Sequence, residues 1–198
     1  MRKLSLILVA AIGMLGAANS QDQADMSAMF KVPDEVKKMD FMVGVWEGEE
    51  KLYFGPSPMT AKVKITISKV MNGRWVEELH EYLSPAMMKV MVGKMLTTYD
   101  ADKKVWNTYW FDSGSASAIA MKGKEEGNAH IAISEAFEMP GFPGKMISRA
   151  TWTKKSETEA TFKFETAGAD EESKKQAAAM GAKGEWTTVI EGTYKKKK

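Results

Sequence analysis

Two histidines, His80 and His130, and the absence of cysteine limit the chemistry this chain can perform. Zinc and haem iron are held by clustered imidazole, thiolate or carboxylate ligands, so this supply points away from a resident metal. His80 stands in phase with Glu78 and Tyr82 within Trp75-Val76-Glu77-Glu78-Leu79-His80-Glu81-Tyr82. At the two-residue period of a strand these three side chains share one face. Turned inward, they form a polar strip able to orient a ligand or hold a metal. Turned outward, they are ordinary surface residues with Trp75, Leu79 and Leu83 inside, and apolar content favours that second assignment.

Other reactive combinations fare worse. Ser113, Ser115 and Ser117 lie beside Asp112, but nucleophilic catalysis needs a base and an orienting acid. Without a nucleophile elbow or a histidine partner, the segment reads as a turn and a small-residue strand. Glu47 with Glu49, and Glu77 with Glu78, are paired carboxylates of the kind hydrolases use. Glu47 and Glu49 fall opposite Trp46 and so face solvent. No catalytic residue is assigned.

The six tryptophans, Trp46, Trp75, Trp106, Trp110, Trp152 and Trp186, carry more information. Large aromatics dominate core energetics, and barrel filling is their plainest role; an aromatic-lined pocket is the alternative. Trp106 and Trp110 share a phase, as do Trp46, Leu52 and Phe54. Arg149 lies mid-strand in Ile147-Ser148-Arg149-Ala150-Thr151-Trp152. Pointing inward it could anchor a ligand carboxylate or pair with a buried glutamate such as Glu135; pointing outward is equally compatible with the phase. Met87, Met88, Met91 and Met95 crowd one region and suit an adaptable pocket. They lack the repeated spacing of a copper array.

These side chains need strands to position them. Lys62-Val63-Lys64-Ile65-Thr66-Ile67 alternates polar with β-branched apolar residues, the pattern of a half-buried strand. Asn72-Gly73 follows, a strong hairpin signal. Turn signals elsewhere delimit candidate strands at 44–54, 60–71, 74–83, 89–99, 104–112, 115–122, 129–138, 145–154, 158–167 and 185–195. Further turns are expected at Lys122–Asn128 and at Met139-Pro140-Gly141-Phe142-Pro143-Gly144, the latter a lip over one barrel end. Pro33–Met39 reads as a short helix, with proline and acidic residues at its start. Residues 170–180 are helix-prone and end at Gly181, which predicts a surface helix before the last strand. Many short strands at this spacing argue a barrel or sandwich.

Residues 1–20 read as an export signal: Arg2-Lys3, an apolar run of about 15 residues, and small residues closing at Ala18-Asn19-Ser20. The run is shorter than the roughly 20 residues a membrane-spanning helix needs. Cleavage near Ser20 gives a periplasmic or secreted chain. A polar lead-in follows at 21–31, then a single domain over 32–198. Loss of Arg2 and Lys3 reduces 28 basic side chains to 26, equal to the 26 acidic ones. A neutral body with one basic tail, Lys195–Lys198, is not the footprint of a nucleic-acid binder.

The order of motifs is similar to that of a known family. Gly44-Val45-Trp46-Glu47-Gly48-Glu49, Asn72-Gly73-Arg74-Trp75, Tyr99-Asp100-Ala101-Asp102 and Trp110-Phe111-Asp112-Ser113 resemble the bacterial domain of unknown function 1579 over roughly residues 36–195. That resemblance implies an all-β, up-and-down antiparallel barrel of about ten strands. Such calycin-like barrels are distantly similar to nitrobindins and fatty-acid-binding proteins. Nitrobindins bind haem through a histidine on a late strand; no histidine follows His130 here, so no cofactor is expected. The reading is a monomeric or dimeric barrel that binds a small apolar or amphipathic ligand through Trp46, Glu78, His80, Tyr82, Trp106, Trp110 and Arg149. A packed interaction barrel is the alternative, and a hydrolase ranks third.

Overall fold

The computed structural model describes residues 30–53, 57–138, 142–179 and 184–198. Residues 1–20, expected to be an export signal, and most of the expected lead-in lie outside these, as do Phe54, Met139–Gly141 and Met180–Gly181. Chain order begins with helix α1 (Asp34–Lys37) and a 3-10 turn (Lys38–Met42). Strands β1 (Gly44–Leu52), β2 (Met59–Val70) and β3 (Trp75–Ser84) follow, then a second 3-10 turn (Ala86–Val90). Next come β4 (Val92–Asp100), β5 (Val105–Asp112), β6 (Ile119–Glu126), β7 (Ala129–Ser134) and the two-residue β8 (Phe137–Glu138). β9 (Lys145–Lys154), β10 (Glu159–Gly168), helix α2 (Glu171–Ala179) and β11 (Thr187–Lys196) complete the chain.

Every pairing is antiparallel. The order runs β10-β11-β1-β2-β3-β4-β5-β6-β7-β9, and β9 pairs back onto β10, with β8 a short extension beside β9. The ten longer strands therefore close on themselves as a barrel, each paired with a neighbour on both sides. Period-two alternation fixes which face is inside. On β2, Ala61, Val63, Ile65 and Ile67 are buried while Lys62 is exposed. A one-residue slip would turn that whole apolar row to solvent.

Local chemistry sets the turns. Met71 and Asn72 both adopt positive φ before Gly73, a conformation asparagine and glycine tolerate best, and the β2–β3 hairpin closes there. Residues 115–118 stay out of the sheet, and β6 runs from Ile119 to Glu126 instead of the expected 115–122. Side chains there bind the backbone in place of a ladder: Asp112 Oδ1 accepts from Gly114 N–H at 2.9 Å and Ser115 Oγ from Ser117 N–H at 3.1 Å. The expected strand 89–99 begins only at Val92, because Ala86–Val90 forms the 3-10 turn. α2 sits where the sequence placed a helix. Its start is a capping box: Asp170 Oδ1 accepts from Ser173 N–H and Ser173 Oγ accepts from Asp170 N–H.

Both ends of the barrel are lined by short turns. At one, α1 and its 3-10 turn bury Val36, Met39 and Met42. Trp46 Nε1–H donates to Met42 O at 2.6 Å and ties that cover to β1. At the other, Met88 of the second turn packs against Leu52 and Ala61, with Tyr82 and Ile190 alongside. Among the described residues no helix is long and apolar enough to cross a membrane.

Candidate functional site

β3 turns its polar face inward, opposite to the assignment that apolar content favoured. Val76, Glu78 and His80 are buried, and Leu83 is exposed. The reason lies in pairing. Glu78, His80 and Tyr82 stand opposite Ile67, Ile65 and Val63 of β2, and directly opposed residues share a face. Outside, Lys94 donates to Glu77 at 3.0 Å and Lys64 to Glu81 at 2.8 Å. Trp75 rests on Tyr109 with centroids 6.0 Å apart. The outer face thus has a charged and aromatic surface of its own.

The strip meets a carboxylate that no motif in the sequence marks. Glu50, 1 % exposed, shares the inward phase of Trp46 and Leu52 on β1. Its Oε1 accepts from Tyr194 Oη–H at 2.6 Å and its Oε2 from Tyr82 Oη–H at 2.7 Å. Burial, then the neighbouring Glu50 charge, pushes both phenols far above their ordinary range. Two glycines make room. A Cβ at Gly48 would lie 2.7 Å from Tyr194 Cδ1, and one at Gly192 would lie 2.6 Å from Tyr194 Oη and 3.0 Å from Glu50 Cγ. This gives the glycine in the Gly-x-Trp-x-Gly-Glu pattern a physical role.

Glu78 is wholly buried. Its Oε2 lies 3.4 Å from His80 Nε2, whereas Oε1 has no partner. The His80 ring stands edge-on to Trp110, with centroids 5.2 Å apart, and 6.4 Å from Phe162. Trp110 lies over the backbone of Gly93, where a Cβ would fall 2.2 Å from the indole. Ser148 of β9 is also wholly buried and its Oγ has no partner. Buried polar groups are normally satisfied, and these two oxygens are exceptions.

A pocket of about 220 Å³ opens at the α1 end. Trp46, Ile67, His130, Trp152 and Ala160 form its walls, and Met39 and Met42 lie against it. His130 and Trp152 are cross-strand partners of β7 and β9. Both ring nitrogens of His130 and the indole nitrogen of Trp152 are buried without a hydrogen-bond partner. Burial pulls the His130 imidazole down from 6.5 to about 4, so it is neutral at pH 7. Its ring stands edge-on to Trp106 at 5.1 Å. Gly123 leaves that space open, since a Cβ there would sit 3.2 Å from the imidazole and 2.9 Å from Trp106 Cβ. At the rim Lys38 lies 3.9 Å from Glu125, and Lys154 is paired with Glu157 and sits 4.4 Å over Phe41.

The expected ligand set is therefore only partly brought together. Glu78, His80, Tyr82 and Trp110 gather in the barrel with Glu50. Trp46 lines the end pocket, and Trp106 stands behind His130. Arg149 does not join them. Its neighbours Ser148 and Ala150 are buried, and alternation turns the guanidinium to the outside. There it reaches Glu165 Oε2, from Nε at 2.9 Å and from Nη2 at 2.7 Å, and lies 4.3 Å over Trp186. Its partner is Glu165, and Glu135 is exposed. Burial alone would raise the Glu165 carboxyl; bonds from Lys163 and Arg149 reverse this and hold it below its ordinary value. Ser113, Ser115 and Ser117 serve a turn. Among the described residues no group of three His, Asp or Glu side chains could hold a metal ion.

A closed antiparallel barrel of ten strands, with carboxylates, phenols and imidazoles turned into its interior, is a calycin-like barrel. The chain belongs to the family described as protein of unknown function (DUF1579), whose model matches residues 33–196. No curated protein matches it.

Proposed function

We propose that this chain is an exported barrel that binds one small amphipathic molecule inside its wall of strands, without catalysis. One observation carries the reading: among the described residues, five side-chain polar atoms, on Glu78, His130, Ser148 and Trp152, are buried yet unpartnered. Leaving such atoms unsatisfied costs about 1–3 kcal/mol each. A fold evolved only to be packed gains nothing from them. Aromatic rings beside these groups supply the apolar half of the site. The inward carboxylates and the outward Arg149 argue against a fatty-acid anion as the cargo. Export rests on the pattern of residues 1–20. Titration of the tryptophan fluorescence with uncharged, anionic and cationic amphiphiles tests the reading. Saturable quenching by one class supports it, and a flat response to all three opposes it.

A second reading has one observation behind it. Leu83, Val92 and Phe111, on the adjacent strands β3, β4 and β5, are each more than 40 % exposed, and apolar clusters of this kind mark contact surfaces. Sedimentation of the purified chain across a concentration series tests for self-association there.

A further inference from the structure

Resting on the second of these readings, we infer that the outer face of β3, β4 and β5 pairs with the same face of a second copy of this chain, across a two-fold axis at Leu96. Alternation decides which side chains this face carries. Val76 and Glu78, Gly93 and Met95, and Trp106 and Thr108 are buried inside the barrel. Trp75 and Leu79, Val92 and Leu96, and Tyr109 and Phe111 therefore point outward. None of these six is buried, and Val92 and Phe111 are each 41 % exposed. The wall at β10, β11 and β1 is built differently. It turns out Thr161, Lys163, Glu191, Thr193, Glu47 and Glu49, threonines and charges that water solvates well. Large aromatic and aliphatic groups gathered on one side of the wall mark a contact surface.

The pattern of charges on this face identifies the partner. Leu96 stands opposite Glu77 on β3 and Tyr109 on β5, and Lys94 stands opposite Leu79 and Phe111. Trp75, Leu96 and Phe111 thus fall on one diagonal of the sheet, each step one strand over and two residues along. Large side chains reach one another at that spacing, and the Tyr109 ring flanks the row, 6.0 Å from that of Trp75. Glu77 and Lys94 fall on the next diagonal, parallel to the first, and are joined at 3.0 Å. A two-fold axis that crosses these diagonals at Leu96 reverses both, as an isologous interface requires. Trp75 of one copy then meets Phe111 of the other, and Glu77 of each copy meets Lys94 of the other. A partner with net charge finds no such match, because acid and base on these diagonals are equal in number. Only two strand spacings of about 4.8 Å separate β3 from β5, and a barrel wall is convex. The buried area therefore falls at the low end of specific interfaces, and the dimer exchanges with monomer at micromolar concentration.

Sedimentation velocity of the full chain, from micromolar to near-millimolar concentration, should show a monomer passing reversibly to a dimer. Phe111→Lys, checked for a native circular dichroism spectrum, should weaken that dimer at least about tenfold. The charges give the sharper test. Glu77→Lys and Lys94→Glu should each prevent dimerisation alone, because like charges then face each other at both contacts. An equimolar mixture of those two variants should dimerise again, because opposite charges then face at both. Each variant lacks the internal Glu77–Lys94 pair, so recovery on mixing does not come from a repaired fold. Monomer at every concentration would overturn the inference and the second reading together, and leave ligand binding by the interior untouched. Co-sedimentation of that monomer with phosphatidylcholine vesicles would assign the face to a lipid surface instead. A dimer indifferent to Phe111→Lys would overturn the face and leave self-association standing. Loss in both charge variants without recovery on mixing would overturn the two-fold arrangement.

Discussion

Replacement of His130 by phenylalanine should change how stability depends on pH, and the amount follows from the burial of the imidazole. In the unfolded chain this group takes up a proton near 6.5; in the barrel it resists until about 4. Between those values the unfolded state holds more protons, so acidification favours unfolding. The contribution is fully present above about pH 6.5, declines as pH falls, and is gone below about pH 4. A displacement of this size corresponds to about 3 kcal/mol. His130→Phe removes the titration and keeps a ring of similar shape beside Trp106. It also removes two unpartnered nitrogens, so the variant should be as stable as the parent at pH 7.5, or more so. Urea denaturation of both proteins at pH 7.5, 6, 5 and 4, with m-values compared at each, measures the difference. The gap should widen by about 3 kcal/mol in favour of phenylalanine from pH 7.5 to 4. A constant gap would refute the reasoning, because it would mean that the imidazole is not held neutral by burial.

Three other outcomes follow from the same geometry. Tyr194→Phe strips Glu50 Oε1 of its donor inside the barrel and should cost about 1–3 kcal/mol, read as a lower urea midpoint. Gly93→Ala places a Cβ against the Trp110 indole; overpacking of this kind costs about 1–3 kcal/mol, and the near-ultraviolet circular dichroism of Trp110 should change with it. Arg149→Ala removes a partner of the buried Glu165 carboxylate, away from the barrel interior, and should leave ligand affinity within twofold of the parent by fluorescence titration. A tenfold loss there would mean that Arg149 reaches the ligand.

The fold was legible because closed antiparallel barrels write their alternation into the chain. Strand β2 and the Asn72-Gly73 turn could be read directly, and so could the helix before β11. The site was less legible, since alternation tells which residues share a face without telling which face is inside. On β3 both faces carry large apolar groups, and Trp75 and Leu79 outweighed Val76 in any count. The inward choice is fixed by Ile65 and Ile67 across the β2 pairing, a non-local fact. Glu50 was within reach, standing in the phase of Trp46 and Leu52 on a strand already assigned. Its tyrosine partners were not, because Tyr82 and Tyr194 lie 32 and 144 residues away in sequence. Arg149 followed the same rule: phase left it open, and closure of β9 against β7 and β10 turned it out.

The most direct test of ligand binding is native mass spectrometry of the protein purified from its own source. Ligand binding predicts a population heavier than the bare chain by the mass of one small amphipathic molecule, released intact on collisional activation. Bare chain in repeated preparations, together with tryptophan fluorescence unmoved by every class of amphiphile, would contradict it.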